Sequence, residues 1–267
     1  MSEIDGLDQI ASIARSSNRV RILKQLYQEG HLRKREISER INASRTTLRR
    51  NLDYLLEQGW VSNTNGEYSI TPTGELVISD FLELVDTVNS AKRIQPFLKS
   101  QPLNELGLDV QALKGAQITS STRSDPYAPV RRHVETVSSA KRFRALLPTV
   151  SPDALESAQK RLQNGDAHHE VIINSDVAKV FRTKQEYSEL IQTLIETEHV
   201  DIHVSERRIP CYIGIIDGSV QIGANNEKGI PHALLETDSQ EAREWAERLY
   251  EEFRAEARLF VMNGDEP

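Results

Sequence analysis

Between Arg15 and Arg50 the chain carries eleven Lys or Arg residues against Glu29, Glu36 and Glu39, although its formal net charge is −7. An otherwise acidic molecule therefore has one segment suited to a polyanion. Beneath those charges lies a helical hydrophobic pattern. Val20, Leu23, Leu26 and Tyr27 recur at three- and four-residue spacings, after Ser17 or Asn18 as a cap and before Gly30 as a stop. Ile37 and Ile41 share one stripe of a second, short helix expected over residues 33–41. Asn42 and Ala43 make a turn, and Ser44 caps a third helix that runs to Gln58 on Leu48, Leu52, Leu55 and Leu56.

Three helices joined this tightly resemble a helix-turn-helix. The leucine stripe of the third leaves Thr46, Arg50 and Asp53 facing away from the core, with Thr47 and Arg49 beside them. Arginine can bridge guanine O6 and N7 or grip phosphate, and threonine can bond phosphate or cover a thymine methyl group. After Gly59 the pattern turns to strand alternation on either side of Asn65-Gly66, a pair that favours a tight hairpin. Helix, helix, reading helix and hairpin is the order of a winged helix-turn-helix. Residues 60–70 hold no Lys or Arg, so most of the reading falls to the helix. The candidate DNA contacts are Lys34, Ser44, Arg45, Thr46, Thr47, Arg49, Arg50 and Asn65. Two plainer uses remain open at this point: arginines that only solvate ordinary helices, and a winged helix that docks protein.

A chain of 267 residues exceeds one such module, and its length fits two domains. Charged residues at 27% with aliphatic stretches throughout indicate a folded protein. No apolar run reaches a membrane span, and Met1-Ser2-Glu3 does not open a signal segment, so a cytoplasmic protein is expected. The single cysteine, Cys211, has no partner for an intrachain disulfide, and no Cys/His spacing suits zinc; neither metal nor cofactor is expected.

Thr71-Pro72 starts another helix, expected to continue to Ile94 before Pro96. Val77, Phe81, Leu84 and Val88, with Ala91, follow the 3.5-residue period of a two-helix seam. The seam serves either a homodimer or packing on the chain's own second domain. Beyond Leu106, strand-like stretches at 117–120, 143–147, 169–173, 200–204, 212–216 and 220–222 alternate with helix-like stretches at 129–138, 152–164, 184–196 and 239–260. That alternation gives an α/β domain (α+β overall) with one central sheet. The expected organisation is a DNA-binding winged helix-turn-helix over 1–70, a linker or dimerisation helix over 71–105, and an effector-sensing domain over 106–267.

SSNRVRILKQL, ASRTTLRRNLDYLLEQGWV, DPYAPVRRHVETV, KRFRALLPTVSP and DSQEAREWAERLYEEF together resemble the archaeal, haloarchaeal-type winged-helix regulators that carry a methanogenesis-regulatory (FilR-type) effector domain. The resemblance covers nearly the whole chain. It implies a DNA-binding transcription factor with a sensory domain similar to the phospholipase D-type fold of sugar-sensing archaeal regulators. The nuclease motif of that fold, His-x-Lys, is missing, since His203 is followed by Val204 and Ser205.

For an effector, the segment 123–133 concentrates polar groups at a loop-to-helix junction whose free N–H groups favour an anion. Tyr127, Arg131 and His133 are its candidate residues, with Arg144 on the following strand. His168-His169 points to opposite faces of a strand, which disfavours chelation and leaves a structural or surface pair. Arg207 and Arg208 near Cys211 make a redox-active thiol thinkable beside inert packing. The expected protein is a homodimeric regulator on double-stranded operator DNA, modulated at its C-terminal domain by a signal or ligand such as an unknown small molecule. The alternatives are an enzyme with a C-terminal catalytic domain and a winged-helix docking module, or an interaction scaffold.

Overall fold

Leu48, Leu52 and Leu55 are spaced to meet on one side of a helix, and the chain buries all three beside Ile22, Leu23, Leu26, Ile37, Ile41, Trp60 and Ile78. Around that core the computed structural model describes residues 3–101, 103–163, 165–226 and 230–262. The chain divides into two compact units, Met1–Val88 and Asn89–Pro267.

In the first unit α1 (Glu3–Ala14) and α2 (Ser17–Glu29) precede a short strand β1 (His31–Arg33), then α3 (Lys34–Ile41) and α4 (Arg45–Glu57). The hairpin β2 (Val61–Thr64) and β3 (Glu67–Ile70) leads to α5 (Pro72–Ser100). Ser44 caps α4 by accepting from the Thr47 N–H at 3.2 Å, as its sequence position requires. The cap of α2 is Ser16, ahead of Ser17 and Asn18, and it accepts from the Arg19 N–H. Two elements escaped sequence reasoning. The expected second helix begins one residue late because His31, Leu32 and Arg33 pair antiparallel with Ser69, Tyr68 and Glu67. Three residues are too few to show a period, and only the partner strand reveals them. Arg33 brings a guanidinium beside the wing, but Glu67 accepts from it at 3.2 Å. The helix α1, mixed in composition, buries Ile13 in the same core.

The helix expected as a linker is a single helix, α5, whose residues through Val88 belong to the first unit and from Asn89 to the second. Val77 and Phe81 pack on the first core, whereas Leu84, Val85 and Val88 are exposed.

The second unit is built on an eight-stranded mixed sheet. Its elements are β4 (Gln117–Ser120), α6 (Ala128–Ser139), β5 (Arg142–Leu147), α7 (Pro152–Leu162), β6 (His168–Asn174), α8 (Ser175–Thr183), α9 (Gln185–Glu196) and β7 (Val200–Ser205). There follow β8 (Ile213–Ile216), β9 (Ser219–Asn225), β10 (Pro231–Thr237), α10 (Gln240–Glu256) and β11 (Arg258–Leu259). The strand order is β11-β7-β6-β5-β8-β9-β10-β4, with β5, β6 and β7 parallel and the remainder antiparallel. One face packs Leu146, Ile172, Val220 and Ile222 against Trp245, Tyr250 and Phe253 of α10 and Phe97 at the end of α5. The other packs Phe143, Val171, Ile173 and Ile202 against residues of α6, α7, α8 and α9.

Three elements of this unit differ from expectation. The final helix stops at Glu256, and Arg258 and Leu259 pair with Val204 and His203 at the sheet edge. Phe260 thereby joins the opposite face, edge-on to Phe181 at 5.8 Å, although its seven-residue spacing from Phe253 fits a helix. The strand β10 was not foreseen, because Ala-Leu-Leu-Glu prefers a helix locally and hydrogen bonding between β9 and β4 overrides it. The helix α8 was not foreseen either.

Gly74 on α5 lies against the carbonyl of Trp60, and a Cβ there would come within 2.1 Å of that oxygen. Gly74→Ala is expected to destabilise the first unit by about 1–3 kcal/mol, the usual cost of an overpacked site. Urea unfolding followed by Trp60 fluorescence checks this, and an unchanged midpoint would show that the hairpin-to-helix junction yields freely.

Candidate nucleic-acid interface and effector cavity

The burial of α4 decides which of its side chains are free. Leu48, Asn51, Leu52 and Leu55 are buried, while Arg45, Thr46, Arg49, Arg50 and Asp53 are exposed. Thr47 is half-buried and held in the cap, its hydroxyl accepting from Ser44 Oγ at 2.9 Å. Arg49 is shared with Asp53 at 3.6 Å, an exposed i,i+4 pair of little energetic weight. Among the described residues Arg45, Thr46 and Arg50 make no side-chain hydrogen bond or ion pair. Lys34 is exposed at the start of α3, and Asn65 occupies the tip of the wing with φ 53°.

Arg19 borders the same surface, where its guanidinium lies 3.7 Å from the centre of the Tyr54 ring. It also donates to Ser12 at 2.6 Å (Oγ) and 2.8 Å (carbonyl), which ties α1 to α2 and α4. Its role is therefore structural, and the cationic surface of α4 is left to Arg45, Arg49 and Arg50.

In the second unit a cavity of about 350 Å³ lies against the sheet face that α6, α7 and α9 cover. Its walls are chiefly aliphatic and aromatic, and Pro126, Tyr127, His133, His169 and Tyr212 are among them. Tyr127 is 70% exposed, so it stands at the rim. Among the described lining residues there is no Lys or Arg, and Asp153 is the one charged side chain.

Two polar groups of this cavity, His133 and Tyr212, end a directed chain that starts outside it. Arg132 Nε donates to Glu236 at 2.7 Å, and Gln221 Nε2 donates to the other oxygen of that carboxylate at 3.0 Å. Gln221 Oε1 must then point inward, where it accepts from Tyr212 at 3.1 Å and meets His133 Nδ1 at 3.0 Å. Burial pushes the His133 pKa down, and that of the Tyr212 hydroxyl well up, so both are neutral near pH 7. The ring of Tyr212 can lie there because Gly214 has no Cβ; one would come within 2.1 Å of the Tyr212 hydroxyl.

Of the four effector residues expected from sequence, Tyr127 and His133 reach this cavity and two do not. Arg131 is exposed and paired with Asp125, whose carboxyl it holds below the usual range by hydrogen bonding. Arg144 points to the opposite face of the sheet, where it pairs with Glu247 at 3.1 Å and Glu251 at 3.2 Å. Strand alternation is the reason: Phe143 faces the cavity, so its neighbour cannot. The anion-friendly site expected here is replaced by an apolar one.

His168 and His169 do face opposite ways. His168 is exposed and meets Asp201 at 3.0 Å, whereas His169 is buried, walls the cavity and packs edge-on to Phe143 at 5.2 Å. His169, Tyr212 and Gln221 were missed by sequence reasoning. A histidine beside the apolar run of β6 and the glycines Gly214 of β8 and Gly223 of β9 were the available signals. Cys211 is buried, and burial pushes its thiol up to about 12, which opposes a redox role. The guanidinium of Arg207 lies instead over the Phe253 ring, 4.4 Å from its centre.

The two units thus define a winged helix-turn-helix joined to an α/β domain. Residues 126–256 match the family described as the middle domain of the methanogenesis regulatory protein FilR1. Residues 7–93 match the HVO_A0261 N-terminal domain. Over these two stretches the chain is similar to regulators of the FilR1 type. Comparison with curated protein sequences gave no match. Among solved structures it is similar to TrmBL2, an archaeal chromatin protein, with 12% identity, a TM-score of 0.43 and coverage of 95% of this chain and 99% of that one. It is also similar to Nuc, a phospholipase D family member from Salmonella typhimurium, with 13% identity, a TM-score of 0.43 and coverage of 54% and 97%. NucT from Helicobacter pylori is similar at 13% identity and a TM-score of 0.44, with coverage of 54% and 98%. No activity is transferred from these structures at such scores. Among the described residues no helix is long and apolar enough to cross a membrane.

Burial lowers the His169 pKa to about 4, the main cause being loss of water around the charged ring. A histidine in the unfolded chain titrates near 6.5, so the unfolded state takes up its proton first as pH falls. The contribution is fully present above about pH 6.5, is lost between there and about pH 4, and is flat below. It reaches at most about 3 kcal/mol. The stability difference between pH 7 and pH 4.5, measured by urea unfolding, should therefore be smaller in His169→Gln than in the parent. An identical pH dependence in both proteins would refute the burial of a neutral His169.

Proposed function

We propose that this protein is a homodimeric, DNA-binding transcriptional regulator whose operator affinity changes when a small molecule occupies the cavity of its second unit. The observation that carries the DNA contact is the exposure of Arg45, Thr46 and Arg50 on α4, opposite its leucine core and without intramolecular partners among the described residues. A reading helix needs side chains in that state, because an arginine engaged within its own protein must give up a bond before it meets a base. Arg49, Thr47, Ser44, Lys34 and Asn65 are assigned supporting contacts to the phosphate backbone.

A two-fold dimer doubles the base pairs contacted and suits a palindromic site. Its proposed surface is the exposed apolar stretch Leu84, Val85 and Val88 on α5, with Val77 and Phe81 turned to the first core. Occupancy of the cavity would act through a coupling free energy of about 1–3 kcal/mol, which is typical of such systems. The enzyme alternative would place catalysis in the second unit. Its sequence has no Gly-rich phosphate loop and no nucleophile elbow, and His203 lacks the following lysine of the nuclease motif.

Arg45→Ala/Arg50→Ala should lower affinity for the operator by about 100-fold or more at fixed salt and relax its preference over a scrambled duplex. The thermal midpoint should stay unchanged, since both side chains are exposed. Equal affinity in the variant would remove α4 as the reading element. Leu84→Asp/Val88→Asp should convert the dimer to a monomer in sedimentation equilibrium; a persisting dimer would move the interface elsewhere.

A further inference from the structure

A sizeable void among apolar side chains is unusual, because protein interiors close-pack and large-to-small gaps are destabilising. This one, of about 350 Å³, lies within the range of small-molecule sites. Three observations restrict what it can hold.

The first is charge. The described lining residues include no cation that could neutralise an anionic ligand, and Asp153 would repel one. An unpaired charge taken into apolar surroundings loses its hydration without compensation, so the described lining disfavours an anion and favours a neutral ligand. The second is shape and polarity. Phe143, Phe181, Val171 and Ile202 give flat and branched apolar walls, suited to a ring system.

The third fixes the hydrogen-bonding sense of the polar group. A carboxylate accepts only, so Glu236 obliges Gln221 to present its amide N–H₂ there and its oxygen to His133. That oxygen also accepts only, so His133 must carry its proton on Nδ1. In the neutral ring Nε2 is then a bare acceptor, and it has no hydrogen-bond partner among the described residues. The outer end of this chain is anchored by Arg132 on Glu236 at 2.7 Å, which keeps the tautomer fixed.

We infer that the cavity binds a neutral, mainly apolar ring compound bearing one hydrogen-bond donor, such as a phenolic or alcoholic hydroxyl, which donates to His133 Nε2. This inference rests on the proposed sensory role of the second unit and gives that role a ligand class. It reverses the preference for anions that the arginine-rich segment 123–133 implies on its own. Those arginines are engaged at the surface, Arg131 by Asp125 and Arg132 by Glu236.

Three probes of one ring size separate the possibilities: 2-naphthol, which is neutral and a donor; naphthalene, which is neutral without a donor; and 2-naphthoate, an anion. Binding to the full-length protein without DNA is measured by calorimetry and by the environment-sensitive fluorescence of 2-naphthol. The expected order of affinity is 2-naphthol, then naphthalene by about tenfold, with 2-naphthoate weakest. His133→Phe keeps the ring volume and removes the acceptor, so it should erase the advantage of 2-naphthol while naphthalene still binds. Ala158→Phe, which fills the cavity from α7, should weaken both neutral probes. Preferred binding of 2-naphthoate, no binding of any probe, or an undiminished advantage of 2-naphthol in His133→Phe would each overturn the assignment. Because no DNA is present, such a failure is distinct from a failure of operator binding, which the α4 variants report separately.

Discussion

Burial of the central sheet on both faces is the constraint on which the second unit depends. A strand covered on both sides is apolar where it is fully buried, as in all of β8 and in residues 145–146 of β5, 171–173 of β6 and 222–224 of β9. Each polar side chain on those strands then requires a partner or incurs a desolvation penalty. On the α10 face Arg144 and Glu170 meet that requirement with Glu247, Glu251 and Arg254. On the other face Gln221 meets it through Glu236, Tyr212 and His133, and the void beside those groups is what gives the protein a candidate sensor. His169 on β6 and His203 on β7 stand apart, each with a buried ring nitrogen that has no partner among the described residues.

The same logic governs the first unit at smaller scale. Burying the leucines of α4 turns its arginines outward, and the Ser44 cap holds the start of the helix in place. Specificity and affinity would come from different parts of that surface. Arginine and threonine near the start of α4 can read base edges, while Lys34 and the wing can only grip backbone. The wing adds little charge, because Arg33 beside it is offset by Glu67.

Much of this was legible in the sequence where a short-range pattern and the tertiary structure agree. The leucine stripe of α4, its serine cap and the Asn65-Gly66 turn are local signals, and so are the apolar strands bounded by turns at 143–147 and 200–204. What escaped was decided by distant partners. The strand β1 exists because β3 is available, β10 overrides a helical preference, and Phe260 leaves its helix to pair at an edge. For the cavity, the sequence pointed to the junction of the β4–α6 loop with α6, where Tyr127 and His133 do line the void. It misplaced Arg144, although counting strand positions from Phe143 would have turned that arginine away. Tyr212, Gln221 and His169 lie 36 to 88 positions from His133 along the chain, and no motif links residues so distant in sequence.

The central claim is that the basic face of the first unit discriminates between DNA sequences. Fluorescence anisotropy of the full-length protein against its own upstream DNA and a scrambled duplex, across a salt series, tests it directly. Preference for the upstream duplex by about 10³-fold or more, with log affinity falling linearly in log salt, is the predicted result. Equal affinity for both duplexes at every salt concentration would contradict it.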